Sequence, residues 1–266
     1  MGLFDNFMKE ATDFAKRAAR EWVESNTEDT AGSDPTAAQH RDRSSGGYKT
    51  PEFAAAAVTE WKDAGRPRQK PIPWPKSEWM EEFPDLAPML SVMSNPLSRD
   101  AVRDTVRRLP NNEAGAIAAF VACMAWGYGR TGYGRSRTKK VLESNHDAPR
   151  KLAKVREIAS RGGLRAAFDA YQYLAGEGRL DHLGPAFGTK FIYFHNADGL
   201  ILDKLTAEWY KRASGIDLKP TQWNPSKYRE YLAFMGGWAE SFGLRPDELE
   251  EVAFSQISRE SGNQWA

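Results

Sequence analysis

Apolar residues recur along most of this chain at three- and four-residue steps, the period of a helix. Residues 3–23 set Leu3, Phe7, Ala11, Phe14, Ala18 and Trp22 on one stripe, with Lys9, Arg17 and Arg20 off it. This predicts an N-terminal amphipathic helix over 1–24, which must bury its stripe on the rest of the chain or on a protein partner. Residues 25–49 carry almost no large apolar side chain and are rich in small polar ones, the composition of a flexible linker. TPEFAAAAVTEWKDA then reads as a helix with Thr50 as N-cap and Pro51 in its first turn. The following GRPRQKPIPWPKSEW is punctuated by proline and predicts an extended segment.

From Ser98 onward the pattern is helical to the end. Ser98 caps a helix over 99–109, and Asn111 or Asn112 caps one over 113–126. Further helices are predicted at 135–144, 148–160, 163–175, 188–197, 201–213, 225–242 and 246–258. Gly162, Gly163, Gly176, Gly178, Gly199 and Gly243 mark the breaks between them. Leu249, Val252, Phe254 and Ile257 are core positions of the last helix. No run alternates with the period of a strand, so residues 50–266 are expected to form one all-α domain of short helices.

Composition removes several chemistries. Cys123 is the single cysteine of the 266 residues, which excludes an internal disulfide, a four-cysteine iron–sulfur cluster and a zinc finger. Set in FVACMAW, it reads as a small core residue. With His40, His146, His182 and His195 as the only histidines, the expected site has no metal and no cofactor. No apolar run is long enough to span a membrane, and residues at the N-terminus lack the charged-then-apolar order of a signal peptide, so a cytoplasmic protein is expected.

The net charge is +1, so a nucleic-acid signal must be local. It is found between Gly127 and Arg165, where eleven lysines and arginines meet only three acids, Glu143, Asp147 and Glu157. That segment opens with MAWGYGRTGYGRSRTKK. Gly127-Tyr128-Gly129-Arg130-Thr131-Gly132 matches a dinucleotide fingerprint in letters only, because an alanine-rich helix precedes it where a strand is needed. The alternative is a glycine-rich loop carrying Trp126, Tyr128 and Tyr133 as stacking surfaces, followed by Arg130, Arg135 and Arg137 as phosphate partners.

A second stretch is LGPAFGTKFIYFHNADGLILDKLTAEW. Its Gly-Pro turn leads into a helix start whose free N–H groups suit a phosphate. Asp203 stands among Leu200, Ile201, Leu202 and Leu205, where a carboxylate either caps a helix or takes part in chemistry.

Together the two stretches resemble the bacterial branch of the 8-oxoguanine-DNA-glycosylase-fold proteins, in the helix-hairpin-helix DNA glycosylase superfamily, over roughly residues 80–260. The resemblance implies an all-α glycosylase fold with a hairpin at about 176–197, where Gly184, Gly188 and Thr189 help grip one strand of double-stranded DNA. It implies Asp203 as the catalytic aspartate and Lys190, in the setting Gly188-Thr189-Lys190, as the amine of members that also cleave the strand. Trp126, Tyr128 and Tyr133 become candidates for filling the gap left by a flipped base. This chain departs from the family at the hairpin, which begins Leu183-Gly184-Pro185 where Leu-Pro-Gly is usual; in the shifted register the lysine position falls on Ala186.

The implied activity is excision of a modified base, leaving an abasic site, with AP-lyase activity open. The base is an 8-oxoguanine-type lesion or a phage-type hypermodified base such as glucosylated hydroxymethylcytosine, which would place the protein in antiviral defence. Glycines at 127–134 would leave room for a large base. Two other readings fit the same residues: a non-catalytic DNA-binding module in which Asp203 is only a cap, and a helical scaffold that docks a partner through residues 1–24.

Overall fold

The computed structural model describes residues 51–262. The helix predicted over 1–24, the linker over 25–49 and Thr50 lie outside the described residues. Among those described, twelve α-helices follow one another: α1 (Glu52–Asp63), α2 (Lys76–Glu82), α3 (Ala87–Val92), α4 (Arg99–Arg108), α5 (Glu113–Tyr128) and α6 (Gly134–Glu143), then α7 (Ala148–Ala159), α8 (Gly163–Ala175), α9 (Pro185–His195), α10 (Lys204–Ser214), α11 (Pro225–Phe242) and α12 (Pro246–Glu260). A single antiparallel bridge, Ile72 with Leu97, ties the segment after α1 to the start of α4. The chain is all-α, and no described helix is long and apolar enough to cross a membrane.

α5 is the axis of the fold. Its EAGAIAAFVACMAW sequence is apolar on every side, and such a helix is stable only when surrounded. Residues 118–126 are all buried, with α4, α7 and α9 packed around them. Cys123 lies fully inside. Gly115 is required for this packing: a Cβ there would fall 1.9 Å from the carbonyl oxygen of Pro110. The helix starts at Asn112, whose Oδ1 accepts from the Gly115 amide at 2.8 Å, and α4 starts at Ser98, whose Oγ accepts from the Ala101 amide at 3.1 Å. Each such cap is worth about 1 kcal/mol.

The C-terminal helices α10, α11 and α12 pack with one another and with α1 around Trp209, Tyr210, Tyr231 and Trp238. Leu249, Val252, Phe254 and Ile257 of α12 are buried, as their spacing predicts. Both groups of helices share one apolar core. A buried ion pair also joins them: Arg99 of α4 donates to Glu250 of α12 at 2.5 Å. The Arg99 guanidinium lies over the rings of Trp126 and Tyr193. Burial pushes the Glu250 carboxyl up to about 7, against the opposing pull of Arg99.

Three expectations need correction. The proline-rich stretch stays extended only as far as Pro75, after which Lys76–Glu82 is helical; proline is tolerated at a helix start because the N–H it lacks has no partner there. α5 runs two residues beyond 126, so Gly127 and Tyr128 are helical and the loop shrinks to residues 129–133. α9 begins at Pro185 rather than 188, with Gly184 as its N-cap.

Candidate active site

α9 follows α8 after residues 176–184 and runs back through the core beside α5. Its Gly188 lets the helix approach Trp223, since a Cβ there would sit 2.4 Å from that ring. The Trp223 indole in turn donates to the Leu183 carbonyl, tying down the segment that enters α9. Thr189 is fully buried. Its hydroxyl donates to Pro185 O at 2.9 Å and accepts from the Leu202 amide at 3.0 Å. This side chain therefore fixes the segment that enters α10 and has no face free for DNA.

The consequence is felt one residue later. Asp203 is the N-cap of α10, in a reciprocal capping box with Thr206. Its Oδ1 accepts from the Leu205 and Thr206 amides at 3.0 and 3.2 Å, and the Thr206 hydroxyl accepts from the Asp203 amide at 2.9 Å. Its Oδ2 faces the other way and accepts from Lys190 Nζ at 3.0 Å. The cap uses one oxygen of the carboxylate and leaves the other to Lys190. Burial resists ionisation of Asp203, but the adjacent Lys190 charge and the cap hydrogen bonds outweigh it and hold the carboxyl below its ordinary range.

Lys190 is 7% exposed. Its Nζ also lies 3.5 Å from Ala186 O, one turn back, and 5.4 Å from the centroid of Phe187. In the shifted register Ala186 would hold the lysine position; the residue that meets Asp203 is Lys190. The space for its stem comes from Gly127, where a Cβ would fall 3.0 Å from Lys190 Cδ and from Phe187.

Aromatic rings lead from this pair to the surface. Tyr128 stacks on Phe187 at 4.1 Å, and Tyr133 meets Tyr128 edge-on at 5.7 Å. Tyr133 is 58% exposed and Tyr128 only 8%. Burial pushes the Tyr128 phenol up to about 12, with Arg137 as a nearby opposing charge. Trp126 is not part of this row: it is buried edge-on against Phe194, beneath Arg99. Gly134 packs on Tyr128, where a Cβ would be 2.5 Å from the side chain. The spaces at Gly127 and Gly134 are thus filled by the protein itself, whereas Gly132 has open space beside it.

The basic segment is less free than its letters imply. Arg135 pairs with Glu78 and Lys139 with Glu82, both acids on α2. Lys151, Lys154, Arg161 and Arg165 pair with acids three or four residues away in the chain. Arg130 is exposed at the loop tip, and Arg137 is exposed on α6. Phe187 escaped the sequence reading, although its three-residue spacing from Lys190 places both on one helix face, and Gly127, expected in a loop, packs against both.

A lysine carried by one helix to the aspartate that opens the next, in an all-α fold, is the arrangement that the glycosylase resemblance implies. The family model described as "Putative 8-oxoguanine DNA glycosylase OGG-like protein" matches residues 65–254, and the chain belongs to this family. No curated protein and no solved structure matches the chain significantly.

Proposed function

We propose that the protein excises a damaged base from double-stranded DNA, with Lys190 and Asp203 as the reacting pair. The observation that carries this reading is the 3.0 Å contact between Lys190 Nζ and Asp203 Oδ2, beside the Phe187–Tyr128 stack. α8, residues 176–184 and α9 serve as the helix-hairpin-helix that grips one strand. The target nucleotide leaves the stack so that its C1′ reaches the pair. Tyr133 enters the vacated space and offsets the unstacking.

Cleavage of the N-glycosidic bond develops positive charge at C1′. An ionised Asp203 stabilises that charge in surroundings where water does not screen it. In the hydrolytic course water adds to C1′, the base leaves with the bonding electrons, and the proton lost by the water goes to the base. In the lyase course the proton leaves Lys190 for the departing base and the amine bonds to C1′. Ring opening gives a Schiff base, the 3′ phosphate leaves by β-elimination, and water later releases the lysine.

The target on this reading is an oxidised purine of the 8-oxoguanine type, the base in the family description. Glucosylated hydroxymethylcytosine is the alternative, and with it a role in antiviral defence; of the glycines expected to make room for it, Gly127 and Gly134 are filled and Gly132 is open. The test uses duplexes carrying 8-oxoguanine, uracil, hydroxymethylcytosine and its glucosylated form. Alkali-labile breaks should appear on the 8-oxoguanine duplex and vanish in Asp203→Asn. Borohydride should trap a covalent adduct on the wild type and none on Lys190→Ala. Excision that survives in Asp203→Asn would sink the assignment, and binding without any excision would leave a DNA-binding module.

A further inference from the structure

Away from Lys190, the C-terminal ends of α4, α7 and α9 meet around a cavity of about 250 Å³. Arg103, Arg107 and Arg156 line it together with Ser160 and Tyr193, and no acid does. The three arginines differ in what already holds them. Arg156 is buried and donates to the carbonyls of Val106, Leu109 and Pro110, so it closes the end of α4 and belongs to the fold. Arg103 donates to the Tyr193 hydroxyl at 2.7 Å and pairs with Asp100 at 3.4 Å, an acid that is largely exposed. Arg107 is exposed and has no acidic or hydrogen-bonding partner among the described residues.

Arg103 and Arg107 are four residues apart and so share one face of α4, where like charges repel. His195, also in the wall, donates through Nδ1 to Phe191 O at 2.8 Å; burial pushes it down to about 4, so it adds no charge near neutral pH. The helix ends supply partial negative charge, and Arg156 already covers those of α4. What remains is a concave, cation-walled space with two guanidinium groups on one face and one of them unpaired.

We propose that this cavity is a phosphate-binding site, with Arg107 and Arg103 as its ligands. Arginine forks match phosphate oxygens in pairs, which makes phosphate the anion that this wall fits. The favoured source is the DNA backbone. Arg107 is exposed, so a phosphate of a strand lying on the protein surface can reach it. This source rests on the DNA-binding part of the function proposed above; a free phosphomonoester is the other source of the same chemistry.

The test compares wild type, Arg107→Ala and Arg108→Ala on an undamaged duplex, by anisotropy across a salt series. Arg108 is the neighbouring exposed arginine and does not line the cavity. Arg107→Ala should weaken binding and lower the slope of log K against log salt by about one, with Arg108→Ala close to wild type. An equal effect of both variants would mean diffuse attraction and overturn the site. Titration with inorganic phosphate and with a deoxynucleoside monophosphate is the second arm. Binding there that is lost in Arg107→Ala, with an unchanged DNA slope, assigns the site to a free phosphate. No phosphate binding and no change in slope overturns the proposal. Excision assays on Asp203→Asn read the chemistry separately, so a protein that cuts nothing can still retain the Arg107 effect.

Discussion

Replacing Asp203 separates two roles that its carboxylate combines. Asparagine still accepts the α10 amides but leaves Lys190 without its counter-charge, a change that costs about 3 kcal/mol in buried pairs. Asp203→Asn should therefore melt below the wild type, and Lys190→Met with Asp203→Asn should recover much of the loss, as read by thermal denaturation. A double variant no more stable than the single would mean that the pair is not what holds this corner. Asp203 and Glu250 also respond oppositely to pH. The lowered Asp203 carboxyl contributes stability above its unfolded value of about 3.9, and that contribution is lost as pH falls through the lower folded value. Glu250, raised to about 7, binds its proton more tightly in the folded state. Its contribution is full below about 4.3 and is lost as pH rises toward 7. Across that upper window the melting temperature of Glu250→Gln should fall less than that of the wild type. The sequence displayed Asp203 by its apolar neighbours, but Glu250 sits in a charged run, DELEE, whose letters give no sign that three of its acids are buried.

At the scale of elements, Thr189 links α9 to the segment that starts α10. Thr189→Val keeps the shape and removes the acceptor for the Leu202 amide, and a buried amide without a partner costs about 1–3 kcal/mol. The expected result is a lower melting temperature together with a drop in excision beyond the loss of folded protein, because the segment leading to Asp203 is no longer pinned. Helix boundaries were legible wherever caps were written locally: 163–175 and 225–242 agree with α8 and α11, which Gly162 and the Asn224–Gly243 pair delimit. They were illegible where distant packing decides. Gly127 looks like a loop glycine until Lys190 and Phe187 are seen to occupy its side-chain space. α2 and α3 were missed because their prolines, which start helices there, read equally well as breaks.

For the whole molecule, the count of positive charge overstates what DNA meets. Arg135 and Lys139 are answered by Glu78 and Glu82, more than fifty residues earlier in the chain, a pairing that no local reading can find. Freeing both by Glu78→Gln with Glu82→Gln should tighten binding to any duplex and steepen the salt slope by about two, at about 0.9 per cation. An unchanged slope would mean that α6 does not face DNA. The all-α class and the shared core followed from periodicity; the charge balance of the surface followed only from the fold.

Because the group that opens α10 is also the group that holds the lysine, losing that helix disarms the site in the same event. On the function proposed above, a molecule whose C-terminal helices have come apart has no assembled pair with which to attack a sugar. The fold would then act as its own safety catch, since losing α10 takes the pair apart in the same event.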